Sequence, residues 1–432
     1  MKNLINQLPP SPRGGEGRGE GLPAAVTLWR YRIFASTWLC YAGYYFCRKP
    51  FYIVKSALGT ELHFDATALG MIGSVYLVAY AIGQFASGAL GNRMGPRLLL
   101  LLGMSLSIAA NIGFGFSNSL ESFVVLMALN GLVQATGWSG TVGTMANWFR
   151  RSERGTVMGF WATNFQVGGV LANTLAAWVL GQWGFRYSFF TGAMVLLAVQ
   201  AFFIFNQRNS PTDLGLPPVD DPDEPQEGDS GLSRKAWTNI LLVGAFYFFV
   251  KFIRYSLWSW APFFLERNFG FKGDEAGYLS TIFDLAGVAG VVVTGLLSDK
   301  FFKSRRAGVS LLMMLVMFFS CILLYVGGGV SVTLFAVCLG LVGFTLYGPD
   351  ALMSGAGAMD IGSRRGAVLA AGVINGMGSI GSVVQELLIG RLYDTGKGNL
   401  GPIFLLLLAA SALAAAAIGV VWVRNKLGQS DV

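Results

Sequence analysis

About a dozen apolar runs, each close to the twenty or so residues that an α-helix needs to cross a bilayer, follow one another between Arg30 and Arg424. The composition agrees, because 53% of the residues are hydrophobic and only 12% are charged, far from the balance of a soluble domain. Strands of a transmembrane β-barrel would alternate between polar and apolar residues, and these runs do not. The sequence therefore predicts an all-α membrane protein.

The apolar runs divide into two sets of six. The predicted helices begin near residues 32, 66, 97, 121, 154 and 186, and then near 237, 273, 307, 331, 364 and 400. Between the sets lies a proline-rich stretch with an acidic run from Asp220 to Asp229, which is typical of a flexible loop. We therefore expect a disordered tail (1–27), an N-terminal six-helix bundle (28–206), a central loop (207–236), a C-terminal six-helix bundle (237–424) and a short tail (425–432).

Lysine and arginine are concentrated in the loops on the side shared by both termini and the central loop. This bias predicts cytoplasmic termini, and we expect a bacterial inner membrane. The net charge of +8 mostly reflects the same bias, so contact with anionic lipids of the bilayer explains it without nucleic-acid binding. The N-terminal residues lack the apolar core and cleavage site of a signal peptide. We expect a monomer.

Catalytic and metal-binding patterns are missing from the sequence. The four cysteines fall within predicted spans, where thiols pack as small hydrophobes and imply no disulfide framework. No nucleophile is accompanied by the base that hydrolysis needs, and the single histidine, His63, falls in the first outer loop. The sequence therefore predicts neither an enzyme nor a cofactor or metal site.

The two halves of the chain repeat each other. The segment from Gly70 to Gly88 matches the segment from Gly277 to Gly295, with the same glycine spacing. Further on, Arg154-Gly155 with Asn164 matches Arg365-Gly366 with Asn375 at nearly the same offset. Internal duplication of this kind is common in transporters built from two parallel bundles. The halves are therefore predicted to be structural duplicates.

Two arginines occupy equivalent positions in this repeat. Arg48 and Arg254 each lie in the first helix of their half, and Lys251 shares a helical face with Arg254. An arginine at mid-membrane costs about 2.5 to 3.5 kcal/mol on insertion scales, so it must face a cavity or a partner. A guanidinium binds phosphate oxygens in a bidentate manner, and a phosphate monoester offers three of them. The pair therefore indicates a site for a phosphate-bearing anion.

An alternative reading assigns these cations a structural role. Asp284, Asp350 or Glu386, which also fall within apolar runs, would neutralise them and lock the two halves together. The intramembrane cations Arg48, Lys49, Lys251 and Arg254 outnumber these acids, so an anion is still expected to complete the balance.

Several short motifs recur along the chain. The first helix contains Tyr41-Ala-Gly-Tyr-Tyr45-Phe-Cys-Arg48-Lys49, in which tyrosines are followed by Arg-Lys. The other stretches are Gly137-Trp138, Glu153-Arg154-Gly155, Val167-Gly168-Gly169, Arg254-Tyr255 with Trp260 and Pro262, and Tyr347-Gly348-Pro349. In these motifs the chain resembles the organophosphate:phosphate antiporters of the major facilitator superfamily, which include glycerol-3-phosphate and hexose-6-phosphate transporters and the SLC37 sugar-phosphate exchangers. The resemblance extends from about Leu28 to Arg424, and the first-helix pattern is its strongest part.

This resemblance implies twelve transmembrane helices in two pseudo-symmetric bundles, with Arg48 and Arg254 as the phosphate-binding pair. Tyr41 and Tyr45, spaced to share the face of Arg48, would line the site. Asp284 lies where members of the family often carry an acid, and we expect it to balance Lys251 or Arg254. Asp350, after a proline that can bend its helix, is a second charge-pairing candidate.

Some substrate-contacting positions depart from the family pattern. Phe165 stands where glycerol-3-phosphate transporters have a histidine, and Gln84 stands where they have a lysine. Asn164 and Asn375 are candidates either for hydrogen bonds to the polyol part of a substrate or for bonds between helices. Trp138 and Gln134 are candidates of the same kind, with aromatic stacking on a sugar or core packing as the alternatives for Trp138.

The loop containing Asn92 and Arg93 resembles the superfamily's cytoplasmic motif between helices two and three, with Asn92 replacing an aspartate. Its second-half copy keeps the acid as Asp299. Such loops gate the transporter without contacting substrate, so Arg93 and Asp299 are predicted gating residues.

The mechanism expected from these features is alternating access, with two bundles rocking around a midplane site and exchanging an organophosphate for inorganic phosphate. One alternative is a proton-coupled anion symporter that uses Asp284 or Asp350 as the proton carrier. Another is a membrane receptor that binds a sugar phosphate without transporting it.

Overall fold

The computed structural model describes residues 24–64, 66–219, 232–271, 273–302 and 305–430. All regular elements in these ranges are helical. The acidic run Asp220 to Asp229 and most of the expected N-terminal tail lie outside the described residues. The fifteen α-helices in the described ranges are α1 Ala24–Phe46, α2 Lys49–Glu61, α3 Ala66–Met94, α4 Pro96–Phe116, α5 Leu120–Gln134, α6 Thr136–Trp148, α7 Arg151–Trp161, α8 Asn164–Trp183, α9 Phe185–Asn206, α10 Arg234–Phe269, α11 Gly273–Lys300, α12 Arg306–Gly327, α13 Val332–Ala351, α14 Ala358–Thr395 and α15 Gly401–Lys426.

Ten helical segments of the described chain are long and apolar enough to cross a membrane. The regions of the first and fifth of the twelve expected spans each contain two helices, α1 with α2 and α7 with α8, and none of these four is among the ten. The first helix begins at Ala24, before the expected start at 32, so residues 24–27 of the expected tail are helical. A π-helical turn, Leu352–Gly357, joins α13 to α14, and Ser363 has a non-helical backbone within α14.

Both ends of the described chain lie on one side of the bundle, here called the terminal side. Arg32 Nε, near the start of α1, donates to Asn206 Oδ1 at the end of α9 over 2.8 Å. Near the start of α10, Asn239 Nδ2 donates to the Gln429 carbonyl over 3.2 Å. The start and end of each half therefore return to the same side, as an even number of crossings requires.

The two halves meet at the terminal side through closely packed glycines. A Cβ atom added to Gly88 in α3 would lie 3.0 Å from Cα of Gly372 in α14. The repeat-related Gly295 in α11 approaches α7, where an added Cβ would lie 2.6 Å from the Gly155 carbonyl oxygen. Only glycine lets the helix backbones approach this closely, which is a common device for helix packing in membranes.

Buried charges join the halves beside these glycines. Asp360 in α14 accepts from Arg154 Nη1 over 2.9 Å and from Arg306 Nε over 3.1 Å, and both guanidinium groups are almost fully buried. Asp299 in α11 pairs with Arg306 and accepts from the Thr156 backbone N–H of α7 over 2.6 Å. This cluster closes the terminal side of the interface.

The two predicted gating residues differ in their surroundings. Asp299 takes part in the cluster described above. Arg93, in contrast, is exposed and makes no hydrogen bond or ion pair to any described residue. The gating roles of both residues stay predictions.

Candidate functional site

A break in the first span positions Arg48. Helix α1 ends at Phe46, and α2 begins at Lys49 with Pro50 in its first turn, where proline's missing N–H does least harm. The break leaves the Cys47 carbonyl without a helical partner. It accepts instead from Asn111 Nδ2 over 3.1 Å and from Asn130 Nδ2 over 2.8 Å. Non-helical backbone at membrane depth is tolerated when its polar groups are satisfied in this way.

The Arg48 guanidinium lies among aromatic rings and neutral polar groups. Its Nε donates to Gln134 Oε1 over 3.0 Å. Its Cζ lies 4.9 Å from the ring centre of Tyr45, 5.2 Å from that of Tyr80 and 5.7 Å from that of Tyr76. Among the described residues, no carboxylate lies within ion-pairing distance of Arg48.

The second half contributes Arg254 and Lys251, one turn apart on α10. Arg254 Nη1 donates to Asp350 Oδ2 of α13 over 2.5 Å, and the Tyr347 ring centre lies 4.5 Å from its Cζ. Lys251 Nζ donates to Asn375 Oδ1 over 2.5 Å and to Ser379 Oγ over 3.2 Å, both on α14. Arg254 is therefore paired with an acid, whereas Lys251 is held by neutral groups.

These side chains line one small cavity between the halves, with an enclosed volume of about 30 Å³. This volume is well below the roughly 300 to 1,000 Å³ of small-molecule sites. The residues that line it are Tyr41, Tyr45, Arg48, Tyr80, Trp138, Phe165, Tyr247, Lys251, Arg254, Tyr255 and Asn375. Seven residues predicted to bind substrate are thus brought together here: Tyr41, Tyr45, Arg48, Trp138, Lys251, Arg254 and Asn375.

Three lining tyrosines were not singled out from the sequence as site residues: Tyr80, Tyr247 and Tyr255. The spacing of four and three residues in Tyr41, Tyr45 and Arg48 recurs in Tyr247, Lys251 and Arg254, so the repeat contains the signal for Tyr247. Tyr255 directly follows Arg254 in one of the stretches that carry the family resemblance. Tyr80 has no comparable signal.

Two side chains at the site connect the halves directly. Asn375 Nδ2 donates to Gln84 Oε1 of α3 over 3.0 Å, so Gln84 contacts the site through an amide of the other half. Trp138 Nε1 donates over 3.0 Å to the Ser354 carbonyl in the π-helical turn. The indole N–H of Trp138 therefore bonds to the opposite half, while its ring faces the cavity.

An aromatic cluster of the N-terminal half packs beside the cavity. The Tyr41 ring lies 5.3 Å from Phe165, 5.4 Å from Trp161 and 5.8 Å from Trp138, measured between ring centres. Phe165, at the position where glycerol-3-phosphate transporters have a histidine, also lies 5.6 Å from Cζ of Arg254. It therefore offers a ring face to the cation in place of an imidazole.

Two expectations differ from the structure. Asn164 is fully buried and donates to the Trp161 carbonyl over 2.5 Å, away from the cavity lining, because it occupies the first turn of α8 after the break. Asp284 does not pair with Lys251 or Arg254. It accepts from the Tyr347 hydroxyl over 2.5 Å, and the Tyr347 ring covers Arg254, so Asp350 is the acid that reaches the guanidinium.

Among the described side chains, the acids of the alternative reading form no ion pair between the halves, since Arg254 and Asp350 belong to the same half. The side chain of Glu386 lies outside the described residues. Within the described ranges, no group of three or more His, Cys, Asp or Glu side chains is placed to hold a metal ion.

Comparisons with known proteins agree with this architecture. The profile of the Major Facilitator Superfamily matches residues 37–385. The chain is 28% identical to the glycerol-3-phosphate transporter of Bacillus subtilis (strain 168), over 98% of this chain and 99% of that protein. It is 31% identical to the human glucose-6-phosphate exchanger SLC37A2, over 88% of this chain and 90% of the relative.

A solved structure of the proton:xylose symporter XylE bound to 6-bromo-6-deoxy-D-glucose superimposes with a TM-score of 0.69, covering 90% of this chain and 95% of that chain. At 15% identity this likeness shows the fold alone. The chain belongs to the major facilitator superfamily, in the branch of organophosphate:phosphate antiporters.

Proposed function

We propose that the protein is a secondary transporter that exchanges an organophosphate, such as a sugar phosphate or glycerol phosphate, for inorganic phosphate by alternating access. The observation that carries this proposal is the charge balance of the cavity. Arg254 has a carboxylate partner, but Arg48 has none among the described residues. A guanidinium keeps its proton even when desolvated, so the cavity retains a positive charge that an anion can balance.

The cavity favours a phosphate group over other anions. Each half contributes an arginine, and guanidinium groups bind phosphate oxygens in a planar, bidentate geometry. The tyrosines and the Asn375 amide around them offer hydrogen bonds to the remaining oxygens or to hydroxyl groups of an ester. The relatives named above are a glycerol-3-phosphate transporter and a glucose-6-phosphate exchanger, which supports the same class of substrate.

Obligatory exchange follows from the same charge. Closing both sides around an empty site would remove Arg48 from water without a partner, which costs several kcal/mol for a buried ion after relaxation. A bound phosphate or phosphate ester offsets that penalty. The loaded carrier should therefore reorient readily and the empty carrier poorly.

The cluster around Asp299 and Asp360 joins the halves on the terminal side. These contacts must break when the cavity becomes accessible from that side. We propose that Asp299 gates this opening and that the exposed Arg93 acts there only in the other conformation. The basic loops support cytoplasmic termini. We propose that the protein lies in a bacterial inner membrane and works as a monomer.

Proteoliposomes loaded with labelled phosphate test this function. Efflux should require phosphate or an organophosphate outside and should persist with a protonophore present. Equal efflux into plain buffer would overturn obligatory exchange, and collapse with the protonophore would favour the proton-coupled symporter. Binding of phosphate without any flux would identify a receptor.

A further inference from the structure

We infer that Gln134 and Asn130 are positioning residues, which hold Arg48 so that its two terminal nitrogens point toward the bound phosphate. Arg254 binds the same phosphate through the edge formed by its Nε and one terminal nitrogen. This inference rests on the proposed function. It assigns different binding geometries to two arginines that the repeat makes equivalent.

The hydrogen bonds of Arg48 determine which of its edges is available. A guanidinium offers five N–H donors, and a planar anion can approach either the two terminal nitrogens or the edge formed by Nε and one terminal nitrogen. Gln134 occupies Nε of Arg48 at 3.0 Å. Neither terminal nitrogen of Arg48 donates to any residue in the described part of the chain. The end-on approach is therefore the free one.

The Gln134 amide is itself held in one orientation. Its Oε1 accepts from Arg48 and from the Tyr76 hydroxyl, the latter over 3.1 Å. Its Nε2 donates to Ser107 Oγ over 3.0 Å and to Asn130 Oδ1 over 3.1 Å. The side chain is fully buried, so a flipped amide would leave donors facing donors without water to relieve them.

Asn130 extends the same network to the backbone beside Arg48. Its Oδ1 also accepts from Ser107 Oγ over 2.7 Å, and its Nδ2 donates to the Cys47 carbonyl over 2.8 Å. One pair of amides one turn apart on α5 therefore fixes both the helix break that carries Arg48 and the guanidinium at the end of its side chain. Preorganised groups of this kind raise affinity because less ordering is needed on binding.

Arg254 is constrained differently. Asp350 accepts from its Nη1, so the edge formed by Nε and Nη2 is the edge that Asp350 leaves to the anion. Arg48 would donate from its two terminal nitrogens and Arg254 from Nε and Nη2. Each arginine can form two hydrogen bonds to the phosphate only if the ligand has enough terminal oxygens to accept them. A phosphate monoester has three such oxygens, whereas a phosphodiester has two. The arrangement therefore selects orthophosphate and monoesters against diesters.

The test compares Gln134→Met with Gln200→Met in the full-length protein. Gln200 is a matched control, because it is buried in the same half and donates to Ser105 Oγ over 2.6 Å and to the Leu101 carbonyl over 3.3 Å, away from the cavity. Losing a hydrogen bond to a charged group should weaken phosphate binding in Gln134→Met about tenfold or more. The exchange KM should rise while the maximal rate at saturating phosphate is kept, and Gln200→Met should keep wild-type affinity.

Wild-type phosphate affinity in Gln134→Met would overturn the positioning role, and so would equal weakening in both variants. Failure of the wild-type protein to bind phosphate would instead overturn the proposed function. Should Gln134→Met not fold, Gln134→Glu has the same shape and sets a carboxylate against Arg48, so it should weaken binding by at least the same factor. Methyl phosphate should inhibit phosphate exchange far more strongly than dimethyl phosphate, and equal inhibition would contradict the two-edge geometry.

Discussion

Replacing Arg48 by lysine keeps the positive charge but removes the planar fork, which separates charge from geometry at the site. In the structure, the arginine gives Nε to Gln134 and leaves two terminal nitrogens for an anion. A lysine offers one ammonium group on a more flexible stem, so at least one charge-assisted bond to phosphate is lost. Such a bond contributes about 1.5 to 3 kcal/mol, which corresponds to a weakening of about 10- to 150-fold.

Equilibrium binding of phosphate to the purified protein, measured by titration calorimetry, gives this ratio directly. Arg186→Lys is the matched control, because Arg186 donates over 2.9 Å to the Gly115 carbonyl at the far end of the same half. The control should bind phosphate as the wild type does. Near-normal affinity in Arg48→Lys would show that charge alone is sufficient and that the planar fork is not needed.

Three further changes test the Arg254 ion pair, the glycine contact between the halves and the buried charge cluster. Asp350→Asn leaves Arg254 unpaired, so the protein without ligand should lose stability while phosphate raises its Tm by more than in the wild type; an equal phosphate-induced shift would contradict the assigned pairing. Gly295→Val forces a side chain against the Gly155 carbonyl, so a cysteine probe at the terminal-side interface should become more reactive; unchanged reactivity would show that this contact does not close the interface. Asp360→Asn removes the shared partner of two buried arginines and should cost about 3 to 5 kcal/mol in unfolding measurements, whereas a loss below about 1 kcal/mol would show that the cluster contributes little.

The sequence was sufficient for the features that depend on composition and periodicity. The apolar runs predicted an all-α membrane fold, and the repeat brought Arg48 and Arg254 to matching positions on the first helix of each half. The 4 and 3 spacing around each arginine also predicts which side chains share its face. These features are local to one helix or are set by duplication.

The features that the sequence did not yield depend on how helices rotate and bend against each other. Asp284 and Asp350 both lie in apolar runs, and only the packing of Tyr347 decides that Asp350 meets Arg254. Asn164 and Asn375 are equivalent in the repeat. The break between α7 and α8 places Asn164 away from the cavity, whereas Asn375 lines it. The contact of Gln134 with Arg48 joins two helices far apart in sequence, and no spacing along the chain predicts it.

We expect one phosphate group to lie between an arginine of each half. An experimental density map of the protein at saturating phosphate shows whether it does. The map should contain anion density within hydrogen-bonding distance, about 2.7 to 2.9 Å, of the Arg48 terminal nitrogens and of Nε or Nη2 of Arg254. A site without density at saturating phosphate, or an anion bound to only one half, would overturn the shared phosphate site.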